Sequence, residues 1–210
     1  PILAIVVLVK GRSLLRNFLQ FLEEEQTGGI FVIIAVAAVC LLASMNDMVV
    51  PSVSLEGKNL WILQSLPVKP WNILRAKLSM QLLLTGIPVF LCEVCIVVCV
   101  RADVVQSLFI LILPLIFTVM LTVFGLFLGI NMPNLTWTNE LAPIKQSLSV
   151  VISMFGGWAV AVGMVGLYFA CGKKLGEIGY LSLVTLVFVL ISAGLYLWLK
   201  RKGEEKLIGL

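Results

Sequence analysis

The sequence predicts an all-α integral membrane protein: a polytopic helical bundle with five complete transmembrane helices and a truncated one at the N-terminal end. Three observations carry this. Of the 210 residues, 60% are hydrophobic and 12% charged, whereas soluble domains are nearer half apolar and a quarter charged. Apolar runs of about 20 residues recur, each enough to cross a hydrocarbon core of about 30 Å. Lipid offers the backbone no hydrogen-bond partners, so each crossing closes its own ladder as a helix.

Taken in order, residues 1–9 are apolar but short, and read as the end of a truncated span. The chain is thus expected to be the C-terminal portion of a longer protein, with one transmembrane domain over 1–210. Residues 10–28 form a loop with an amphipathic helix that ends in Glu23, Glu24 and Glu25. The first complete span is 29–50, and Asp47 near its exit reads as a snorkelling acid. Segment 52–78 is too polar to cross a bilayer and too apolar for a free loop. Leu60, Trp61, Leu63 and Leu66 recur at roughly helical spacing, so a short amphipathic helix is expected there, capped by Ser54 and favoured by Glu56 in its first turn. Pro67 and Pro70 break it, and a further helix runs from Trp71 into the span at 79–100. A tight turn at 101–106 leads to the third span, 107–130. Polar segment 131–147, the fourth span at 148–171, a short loop at 172–179, the fifth span at 180–199 and a basic tail complete the chain. Gly125 and Gly129, and Ser153, Gly157 and Ala161, make small faces that admit close helix contact.

The formal net charge is +4. In a membrane protein such a balance reports cytoplasmic loops and not nucleic-acid binding. Segments 52–78, 131–147 and 200–210 fall on one side and carry nine basic residues, against six on the other. The richer side is expected in the cytoplasm, with the plasma membrane as location. There is no histidine, which removes the commonest general base and metal ligand. Cys92, Cys95 and Cys99 share one helix face, where packing is the plainer reading than a metal site. Glu93 falls inside the second span, where an ionised carboxylate costs about 3 kcal/mol or more. It is protonated, paired with another span, or placed along a path.

Two stretches carry a family resemblance. The run from Ser52 to Pro67, with Ser54, Glu56, Gly57, Lys58, Trp61 and Ser65 in it, resembles a cytoplasmic loop of type-2 ATP-binding-cassette exporter permeases of the Gram-positive kind. Asn131, Pro133, Trp137 and Glu140, followed by Lys145–Gln146–Ser147, resemble the same family's later loop. The likeness covers about 47–210. It implies a permease subunit that binds no cofactor itself and works with a separate cytoplasmic ATPase, which would hold ATP and magnesium. A second permease copy, or the missing N-terminal half, would complete the path within the lipid bilayer. The chain has no Gly-x-x-x-x-Gly-Lys-Ser/Thr phosphate loop of its own. On this reading Trp61 anchors the ATPase contact, with Glu56, Gly57, Lys58 and Lys69 around it. Trp137 is a second anchor, rimmed by Glu140 and Lys145. The same tryptophans are also what an interfacial membrane anchor would use. The alternative function is a non-transporting anchor or sensor that recruits a cytoplasmic partner. A membrane enzyme is not expected, since no nucleophile–base pair or metal-ligand set appears.

Overall fold

A computed structural model describes residues 28–57, 65, 67–100, 103–134, 137, 147–172 and 175–209. Among these there is no strand. The elements are α1 (Gly28–Ser44), α2 (Pro51–Ser54), α3 (Pro70–Val100), α4 (Val104–Asn131), α5 (Leu148–Leu167), α6 (Glu177–Trp198) and α7 (Glu204–Ile208). A π-helical turn, Tyr168–Gly172, extends α5, and another, Leu199–Gly203, joins α6 to α7. Four helices, based on α3, α4, α5 and α6, are long and apolar enough to cross a membrane. This is the architecture of a multi-pass helical membrane protein.

The helix α4 is the spine. Of its most apolar stretch 56% is buried, against 22% for each of the other three long helices. The sequence explains this: Val104–Asn131 contains no ionisable residue, so every face can meet another helix. Pro114 removes one ladder bond inside it. Thr118 Oγ1 donates to the Pro114 carbonyl at 2.9 Å and Thr122 Oγ1 to the Thr118 carbonyl at 2.8 Å, both buried. At one end of the bundle α4 packs with α1, α5 and α6 around Phe117, Val36, Met164 and Leu181. At the other it packs with α2, α3 and the tail around Leu126, Val50, Leu74 and Leu199.

Five complete spans were expected, and the structure differs at 29–50. Here α1 stops at Ser44, and the chain turns through 45–50 before the single turn of α2. The last α1 turn tightens, with Met45 N donating to the Leu42 carbonyl and Asn46 N to the Ala43 carbonyl, each at 3.3 Å. Asn46 and Asp47 prefer such turns to helix interiors, and Pro51 then restarts the helix at its first position. Asp47 does not snorkel. Its Oδ2 accepts a hydrogen bond from Ser153 of α5, and its Oδ1 is buried without a hydrogen-bond partner among the described residues. The basic tail continues from α6 through the second π-helical turn into α7. It stays helical, burying Leu199 and Leu207, with Gly203 against Leu74 of α3. The truncated span at 1–9 and the loop at 10–27 lie outside the described residues.

The turn at 45–50 fits because α4 is thin where it passes. A Cβ on Gly129 would sit 2.5 Å from the Val50 carbonyl oxygen. Gly129→Ala must therefore push α2 away or bend α4. A loss of about 1–3 kcal/mol is expected, the usual range for overpacking, read as a lower thermal midpoint of the detergent-solubilised protein. Gly163→Ala on α5 meets nothing within 4 Å and should leave the midpoint unchanged or higher. Equal midpoints for the two variants would remove this contact from the fold.

Candidate functional site

The two segments singled out in the sequence meet at one end of the bundle. The helix that Ser54 was expected to cap lies outside the described residues; Ser54 closes α2 and joins the later loop. Its Oγ accepts from Asn134 N at 3.0 Å, and its carbonyl accepts from Trp137 Nε1 at 2.6 Å. Gly57 then turns left-handed, with φ of 43°, and a Cβ there would lie 2.9 Å from Trp137 Nε1. Glycine is needed twice at this position, for the backbone and for the indole.

Glu56 is not a free rim charge. It pairs with Lys77 on α3, and Lys77 Nζ also donates to the Ser52 carbonyl at 3.0 Å. The pair ties α2 to the first turns of α3. Lys69 is exposed just before α3, and its carbonyl accepts from Asn72 N at 2.9 Å. Trp71 packs edge-on to Tyr196 of α6, with ring centroids 5.4 Å apart. The tail closes the same end: Lys206 donates to Asn131 Oδ1 and lies 5.7 Å from the centre of the Trp198 ring. Arg75, Lys200, Arg201 and Lys202 are exposed there. At the opposite end Gln106 Nε2 donates to Glu177 Oε2 at 3.2 Å. The structure thus brings Glu56, Gly57 and Trp137 to one end, with Lys69 beside the start of α3. Lys58, Trp61, Glu140 and Lys145 lie outside the described residues.

Behind this face lies a polar cluster not anticipated from the sequence. Gln81 of α3 serves the turn after α1 from both ends of its amide: Oε1 accepts from Met48 N at 3.1 Å, and Nε2 donates to the Asn46 carbonyl at 2.5 Å. Thr85, one turn on, accepts from Gln81 Nε2 at 2.8 Å and from Asn46 Nδ2 at 3.2 Å. The signal was present as two polar residues four apart on one helix face, beside Asn46 and Asp47 in the preceding apolar run. Glu93, two turns beyond Thr85 on α3, is buried, and neither carboxyl oxygen has a hydrogen-bond partner among the described residues. No group of three or more His, Cys, Asp or Glu side chains that could hold a metal occurs among the described residues.

No protein-family model, curated protein or solved structure matches the chain.

The Gly57–Trp137 contact is testable as a pair. Gly57→Ala should destabilise by about 1–2 kcal/mol from the left-handed backbone, with a further cost from the indole. In a Trp137→Ala background only the backbone cost should remain. A double-mutant cycle on thermal midpoints is expected to give a coupling of about 1 kcal/mol. A coupling near zero would mean that the two segments do not clasp.

Proposed function

We propose that this chain is the transmembrane permease subunit of an ATP-binding-cassette export system in the plasma membrane. Segments 52–78 and 131–147 face the cytoplasm and dock a separate ATPase. The observation that carries this reading is the joining of Ser54 and Gly57 to Asn134 and Trp137. The described parts of two loops separated by two membrane helices, both resembling permease loops, meet at one end of the bundle. An ATPase drives a permease by rigid-body change at an interface, and such an interface needs stiff elements tied to the spans. The Glu56–Lys77 pair supplies that tie, because α3 runs unbroken from Pro70 through the bundle. The exposed Lys69 and Arg75 suit a polar rim, and Trp61 suits a central anchor.

Two experiments test the proposal. In a cysteine-free background, Lys69→Cys should react with a membrane-impermeant maleimide only after the cells are opened. Labelling from outside intact cells would invert the orientation. Trp61→Ala should lower the affinity for the co-purifying ATPase about twentyfold or more, as interface tryptophans typically do. Lys69→Glu should act more weakly and more strongly at low salt. Size-exclusion profiles keep binding loss separate from unfolding. ATPase bound normally by both variants, with normal stimulation of hydrolysis, would exclude the segment from coupling. Binding without any stimulation by the wild-type chain would favour the anchor reading.

A further inference from the structure

Glu93 is the most isolated polar group of the described bundle. It lies inside α3, 0% exposed, with both carboxyl oxygens unpartnered among the described residues. The buried face of α3 reads Gln81, Thr85, Val89, Glu93 at steps of four residues. The first two are satisfied by the turn after α1. Glu93 is eight residues past Thr85, about 12 Å deeper along the helix.

The groups around it decide its state. From α1 the titratable neighbour is Cys40, and on α3 itself Cys92 and Cys95 flank it. The helix α4 holds no ionisable residue along its length. No Lys or Arg lies on α1, α4 or α5, and the basic residues of α3, Arg75 and Lys77, are at its other end. An ionised carboxylate in this setting has no counter-charge among the described residues, and is expensive. A hard metal cation is no remedy, because such ions take six or more oxygens and the adjoining turns of α3 on this side, at Val89 and Ile96, offer apolar side chains. A proton needs only the carboxyl itself.

A route also exists. A cavity of about 120 Å³ lies between α1 and α3, with Asn46 and Thr85 at one end and Val89 and Cys92 at the other. Its polar groups, Asn46 and Thr85, can hold water at that end, and the remainder of its lining is apolar. It reaches within one helical turn of Glu93. The contact of α1 with α3 is also thin beside that of α4 with α3.

We infer that Glu93 is a proton-binding site of the membrane domain, loaded in this conformation and emptied when α1 moves off α3. On emptying, the carboxyl O–H bond breaks, its electron pair stays on the carboxylate, and the proton passes to water in the α1–α3 cavity. The cluster of Asn46, Gln81 and Thr85 leads from there to the basic end of the bundle. This site does not depend on the identity of a cytoplasmic partner.

The test is reaction of the detergent-solubilised protein with dicyclohexylcarbodiimide, which enters apolar sites and modifies protonated carboxyls. Peptide mass spectrometry should place an adduct on Glu93 that declines as pH rises, and the water-soluble carbodiimide should give none there. Glu93→Gln should abolish the adduct and keep the normal size-exclusion profile, because an amide replaces a neutral acid with little change in shape. It should also remove a protonated-carboxyl band from the infrared spectrum. Adduct on Asp47 alone, or no adduct with the band absent from the wild type, would overturn the proposal. So would loss of folding in Glu93→Gln but not in Glu93→Asp, which would mean that a buried charge pair is required.

Discussion

A backbone that leaves its helix among apolar neighbours must find new partners for the groups it frees. That constraint governs the stretch after Ser44, and Gln81 meets it. One side-chain amide accepts from Met48 N and donates to the Asn46 carbonyl. The rest of that end follows. With the turn pinned to α3, Val49 and Val50 lie over Gly125 and Gly129, and α2 begins at the height where α4 is ending. Ser54 is then within reach of Asn134 and Trp137. An unpaired amide in such a place costs more than an ordinary hydrogen bond contributes. Gln81 is therefore worth more to this fold than its single side chain suggests.

The bundle divides its chemistry by helix. Without ionisable groups, α4 serves as a spine against which all the longer helices lie. On α3 the buried polar side chains Gln81, Thr85 and Glu93 share one face, and Gln81 and Thr85 bond the turn after α1. Charge is kept at the ends, and at the basic end it is partly spent internally: Glu56 with Lys77, and Lys206 with Asn131. Among the described residues, Lys69, Arg75 and the Lys200–Lys202 run are exposed there.

Much of the architecture was legible. The spans at 107–130, 148–171 and 180–199, and the helix entering the membrane from Trp71, follow from unbroken hydropathy, because length and apolar content suffice to define a crossing. The break after Ser44 was not legible. Hydropathy averages over Asn46 and Asp47, and a backbone turn depends on partners such as Gln81 more than 30 residues away in sequence. Ser54 reads as a cap because serine before a polar turn usually is one; its bonds to Asn134 and Trp137, 80 and 83 residues on, leave no local signal. The packing of the tail was not legible, because Lys200, Arg201 and Lys202 separate the buried Leu199 from the buried Leu207. Of the candidate site, the residue types were legible, and the clasp between Gly57 and Trp137 was not. Nothing in either segment alone specifies the other.

The wide turn at Leu199–Gly203 alters the phase of the helix that carries the tail. A π turn holds about one residue more than an α turn, and one residue corresponds to about 100° of rotation. Side chains beyond Gly203 therefore point about a quarter-turn away from where an uninterrupted α6 would aim them. Leu207 is delivered toward α3, and Lys206 toward the end of α4. The chain thus changes the direction of its apolar stripe without a loop or a proline. The last helical turns are keyed to the underside of the bundle and not to the surrounding lipid.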